Sequence, residues 1–243
     1  MKVKVVVLAL LVSVLLSVTA SAGMLWTDRD TFGDRFDTPN APIGENLINS
    51  LQVRNALWAN NGGRKTYIHF NISSITDPVG TASLDLILVD EGLEAAEAAN
   101  IAVYVLNDGD SGEGWSESTL TWNNAPANNI TSDYALLGNA SLIDTFWVHD
   151  GDAVGWPTIS VSNAALVNAL NADTDGSITF ILTILDGIEG SGVIGGVNYD
   201  YIAFASRERA DSDSTTLSFT TVPEPATIGL LGIGLMALMR RRK

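Results

Sequence analysis

Any chemistry in this chain must be done with oxygen ligands or aromatic rings. Its 243 residues contain no cysteine and only two histidines, His69 and His149, against 28 acids. A thiolate site is excluded, and a zinc site would need carboxylates for most of its ligands. Asn171, Asp173 and Asp175 set oxygens at alternating positions ahead of Gly176, the spacing of the first half of a calcium loop. The bidentate acid that closes such a loop would fall on Leu182, and a plain Asp/Gly turn into the next strand explains the same residues. Asp108, Asp110 and Glu113 form a second, weaker acidic loop. A structural calcium is therefore the one cofactor that the sequence suggests. Tryptophan supplies the other chemistry, because its large apolar plane with a polar tip suits stacking on sugar rings. Of six tryptophans, Trp115 and Trp122 sit where packing is needed and read as core, whereas Trp58, Trp147 and Trp156 border loops and are the candidates for sugar contact. Catalysis has no motif behind it: there is no Gly-x-Ser-x-Gly elbow, no His-Glu-x-x-His and no Gly-rich phosphate loop. Pairs of acids such as a glycosidase needs can always be picked from so acidic a chain.

The elements that would position these residues read as strands. Between the two chain ends, residues 23–221 form one domain carrying seven cations and 27 acids, a net charge of −20. Such a surface repels polyanions, so nucleic acid is excluded as a partner, and an anionic polysaccharide would need a bridging divalent cation. Residues 28–49, rich in Asp, Pro, Gly and Asn, read as an irregular arm, to which Trp26 is also assigned. Strand-length apolar runs follow at 51–58, 66–72, 82–89 and 101–106. In the second, Thr66, Ile68, Phe70 and Ile72 alternate with Tyr67, His69 and Asn71, the pattern of a half-buried strand. The same alternation puts Leu120 and Trp122 on one face of a strand ended by Pro126. Residues 128–156 look irregular. A short strand is expected at 157–161, a helical turn at 164–170, and a central strand covered on both faces at 176–185. The loop 187–196, with five glycines, is expected to be a mobile surface loop. The fold class is all-β: an antiparallel two-sheet β-sandwich flanked by a signal helix and a C-terminal membrane helix.

Both chain ends read as targeting segments. Lys2 and Lys4 precede an apolar run from Val5 to Val18, and Ala20-Ser21-Ala22 offers small residues to signal peptidase, which makes residues 1–22 a secretory signal. At the other end, residues 222–243 hold Val222-Pro223-Glu224-Pro225, fourteen uncharged residues (226–239) and the cations Arg240, Arg241, Arg242 and Lys243. Fourteen helical residues cover about two-thirds of a roughly 30 Å hydrocarbon layer, and the cations would stay on the cytoplasmic side. This tail resembles the PEP-CTERM sorting signal. The resemblance implies an exosortase-type processing enzyme as partner, transient or permanent membrane anchoring, and a destination at the surface or in the matrix of a Gram-negative bacterium that makes extracellular polysaccharide. Glu224, an acid held between two prolines at the membrane edge, is the residue expected to carry recognition.

Within the body, Trp115-Ser116-Glu117 followed by Leu120-Thr121-Trp122-Asn123-Asn124-Ala125-Pro126 resembles the centre of DNRLRE-type domains. Further matches lie at Pro39–Gly44, Leu51–Arg54, Arg64–Ile72, Ser206-Arg207-Glu208 and Leu217–Phe219. Those domains are β-sandwiches similar to carbohydrate-binding modules, so the resemblance implies a jelly-roll-like arrangement and extracellular polysaccharide as the ligand. A non-catalytic glycan-binding module is thus the first expectation, a structural matrix protein without a specific ligand the second, and a polysaccharide-degrading enzyme the third.

Overall fold

Strand β9 (Ser177–Ile184) is the middle of the domain, because every residue from Ile178 to Ile184 is buried. A computed structural model describes residues 20–35, 38–43, 50–54, 63–93, 98–185, 201–209 and 214–222. Trp58, the 187–196 loop, most of the signal segment and the tail beyond Val222 lie outside these residues. On one side β9 pairs with β4 (Arg64–Asn71), which pairs with β2 (Arg29–Asp34). On the other it pairs with β6 (Ala98–Leu106), which pairs with β7 (Ala140–His149). These strands form a five-stranded antiparallel sheet in the order β2-β4-β9-β6-β7. The second sheet is built along β5 (Val79–Glu91), whose length lets it pair with β11 (Thr216–Thr221), β10 (Ile202–Ala205) and β8 (Thr158–Val161). β1 (Ala22–Trp26) and β3 (Ser50–Val53) complete it at its two edges. The chain crosses between sheets at almost every strand, as a jelly-roll-like sandwich requires.

The core follows from period-two alternation. Leu84, Leu86 and Leu88 of β5 face Ile101, Val103, Phe180 and Leu182 of the opposing sheet. The single α-helix among the described residues, α1 (Ala164–Ala172), buries Leu166 and Leu170 one turn apart and is capped by Asn163, whose Oδ1 accepts the Leu166 N–H at 2.9 Å.

Four sequence expectations are corrected. The arm proves to contain β1 and β2, edge strands whose order comes from pairing with β11 and β4 rather than from their own hydropathy. Leu120 and Trp122 are core, yet their segment is a series of turns. Asn124 accepts the Thr121 N–H and donates to the Thr119 carbonyl, and Asn128 donates to the Trp122 carbonyl, so side chains satisfy the groups that a strand ladder would use. The region read as irregular holds the ten-residue β7. Finally, β4 is buried on both faces, because the long 107–139 excursion folds over Tyr67 and Ile181 and makes a second apolar cluster with Trp115 and Leu120.

Candidate functional site

Among the described residues, exposed tryptophans lie around β7 and the loop after it and on β1, and Tyr134 is exposed on the 107–139 excursion. Trp147, on edge strand β7, is 43% exposed, and Trp156, at the end of the β7–β8 loop, is 44% exposed. Trp156 sits at φ +54°, a left-handed conformation uncommon for a bulky side chain, and the Arg209 guanidinium stacks on its ring at 4.3 Å from the centroid. One face of that indole is therefore taken. Trp147 has its ring unstacked among the described residues. Sequence reasoning assigned Trp26 to an arm and missed the second place: Trp26 is 52% exposed on β1. Strand register sets Trp26, Thr216, Asp85 and Ser160 in one row across β1, β11, β5 and β8. With strands about 4.8 Å apart, the row spans about 14 Å. Asp85 accepts hydrogen bonds from Ser83 at 2.7 Å and Ser160 at 2.6 Å, which gives a hydroxyl-rich sheet face edged by an indole. The alternation of Met24 and Trp26 with Gly23 and Leu25 was the available signal.

Among the described residues two acidic groups could hold a metal ion: Asp30, Glu117 and Glu208, and Asp108, Glu113 and Asp175, in each of which one oxygen per residue lies within 4.8 Å of the others. The first is already counter-charged. Arg207 donates to Glu117 at 2.9 Å and to Glu208 at 2.6 Å, and its backbone N–H donates to Asp30 at 2.9 Å. This network places the Trp115-Ser116-Glu117 and Ser206-Arg207-Glu208 motifs in contact and fixes the excursion to β2. Burial, with Glu208 and Glu117 nearby, raises the Asp30 carboxyl above its ordinary range.

In the second group, the two acidic loops that the sequence offered separately meet. Asp173 stands close enough to raise the pKa of Glu113, but Asn171 is not brought in: it accepts the Val79 N–H at 2.7 Å and donates to the Val79 carbonyl at 2.9 Å, tying α1 to β5. Gly176 serves the turn itself, at φ +78°, where a Cβ would lie 2.9 Å from Ser73. A cavity of about 370 Å³ opens beside this group, with Asp108, Glu113 and Asp173 at its acidic end and Val105, Ile143 and Ile178 among its apolar walls.

His69 makes a chain that resembles a nucleophile relay. Its Nδ1 meets Asp28 at 2.5 Å and its Nε2 meets Ser177 Oγ at 2.7 Å. The Arg29 guanidinium also lies against Nε2, the nitrogen that a general base keeps for its nucleophile. Burial holds His69 below the usual histidine range, and the network joins the β1–β2 turn to β4 and β9. His149 is exposed beside Asp152.

A two-sheet sandwich with exposed indoles and a polar sheet face has the architecture of a carbohydrate-binding module. The chain belongs to carbohydrate-binding module family 96, whose family model matches residues 25–221. Residues 221–243 match the PEP-CTERM protein-sorting motif, which marks the chain as exported and sorted to the envelope. Among curated proteins none matches it. No helix of the described residues is long and apolar enough to cross a membrane.

Proposed function

We propose that this chain is a non-catalytic module that binds extracellular or cell-surface polysaccharide. The family match across residues 25–221 carries the reading. Trp147 and Trp156 supply stacking planes beside loops, Trp58 remains a candidate from the sequence, and the Trp26–Asp85 row is a second face suited to hydroxylated rings. Signal peptidase removes residues 1–22. An exosortase-type enzyme reads Pro223-Glu224-Pro225 while the 226–239 segment lies in the membrane and Arg240, Arg241 and Arg242 stay on the cytoplasmic side of a Gram-negative host. The matching tail motif supports this route.

The test is tryptophan fluorescence of the protein purified from its host, titrated with that host's exopolysaccharide. A saturable shift is expected, weakened about tenfold or more in Trp147→Ala or Trp26→Ala according to which face binds, with no release of shorter glycans. A flat trace would favour a matrix protein without a specific ligand, the reading that the strong acidity supports. Glycan shortening would make the chain an enzyme.

A further inference from the structure

The acidic end of the β6–α1 cavity contains a feature that neither turn geometry nor packing accounts for. Glu113 is only 4% exposed, and its Oε2 is buried without a hydrogen-bond partner. A buried carboxylate is normally paired with a cation or protonated. No Lys or Arg pairs with it among the described residues, and its electrostatic neighbours are Asp175, Asp173, Asp108 and Asp110, all of like sign. Each of those acids has a structural use for part of its carboxylate. Asp108 accepts the Thr174 N–H at 3.0 Å and its hydroxyl at 2.8 Å, Asp173 accepts the Gly176 N–H, Asp175 accepts the Ser177 N–H, and Asp110 accepts from Gly112 and Asn139. Those bonds order the loops, but they leave Glu113 facing a cluster of its own sign. The companion group around Asp30 contains Arg207, so the two groups differ in the one respect that matters: one contains its counter-ion and the other does not.

We propose that Asp108, Glu113 and Asp175 form a divalent cation site of the calcium class, with Asp173 as a flanking charge, which ties the start of the 107–139 excursion to the turn between α1 and β9. The ligand set is all oxygen, which selects a hard cation over zinc or copper. Its carboxylates come from separate loops, so their geometry is irregular, which suits the flexible shell of calcium better than the octahedron of magnesium. Asp108 and Asp175 are exposed and leave room for water ligands, and extracellular calcium modules of this kind bind at about 10⁻⁴–10⁻³ M. The site differs from the one that sequence spacing suggested. It keeps Asp175, replaces Asn171 with two residues of the other acidic loop, and does not depend on glycan binding.

The experiment uses the full chain, freed of metal with a chelator and titrated with CaCl₂, with MgCl₂ as the comparison. Expected are a saturable rise in melting temperature and calorimetric binding of calcium that magnesium does not match. Trp115 lies two residues from Glu113, so terbium at the site should show tryptophan-sensitised emission that calcium quenches, a readout needing no variant. Glu113→Gln separates this site from general surface binding by opposite effects. At pH 8 in chelator it is at least as stable as the parent, because a like-charged buried carboxylate is gone, and in calcium it loses tenfold or more in affinity. Absence of both the melting shift and sensitised terbium emission overturns the proposal. So does an unchanged calcium affinity in both Glu113→Gln and Asp175→Asn.

Discussion

Among the carboxyls that burial raises, Asp30 and Glu113 contribute most to how this domain responds to pH. Asp30 and Glu113 both have pKa values raised by burial and by like charges around them, Glu113 from 4.5 to about 8. A raised acid means that the folded chain holds protons the unfolded chain has released, so the unfolded state binds fewer, and stability falls as pH rises above the unfolded values. In chelator, the melting temperature is therefore expected to drop from about pH 5 to about pH 7. Glu113→Gln should flatten that slope, and an unchanged slope would show that the carboxyl is not buried in this way. Two groups act with the opposite sign: His69, held low by burial, below about pH 6.5, where the two acids outweigh it, and Lys65, pulled down to about 7 by burial, above that value, which ends the window.

At the scale of elements, the 107–139 excursion does what a third layer would do in a larger fold. It covers the outer face of the five-stranded sheet with Trp115, Leu120 and Ala127, and its fastenings to the sandwich include three spread along its length. One is the Glu117–Arg207 pair and another the Asp108–Thr174 bridge. The third is Lys65 of β4, which is fully buried. Its ammonium donates to Asn128 at 2.6 Å and to the carbonyls of Ser132 at 2.9 Å and Ala135 at 2.8 Å, and it lies 4.7 Å from the centroid of the Trp122 ring. Lys65→Ala would leave those buried acceptors unsatisfied and open a void beneath the indole. A loss of about 2–4 kcal/mol in urea unfolding is expected, with rapid proteolysis confined to the excursion. A loss below about 0.5 kcal/mol would mean that the excursion is held by its other fastenings alone.

For the whole molecule, the two matched families divide the labour: the sandwich supplies carbohydrate binding and the tail supplies sorting. β11, which lies between β1 and β5, ends at Thr221, and the sorting motif matches from residue 221, so the two matched regions adjoin in sequence. Glu224→Ala is expected to leave the chain full-length and membrane-bound in its host while the parent loses its tail and reaches the surface or medium. Intact mass and fractionation would show this, and equal processing of both would remove Glu224 from recognition.

Local patterns were enough to determine much of this. The alternation in β4, β5 and β9, the core role of Trp115 and Trp122, the net charge and the order of the tail are all readable because each depends on neighbours within a few residues. Edge strands β1 and β2 were not, since their order is conferred by hydrogen bonds to distant partners. Nor was the end of β4's apparent exposure, which depends on an excursion returning from more than forty residues away. The metal-binding candidates show the same division. Spacing identified both acidic loops, but only tertiary structure decided that Asn171 serves Val79, that Glu113 is buried without a counter-ion, and that Asp108 and Asp175 converge on it. Charge can be counted along a chain, whereas burial and the meeting of loops are properties of the packed whole.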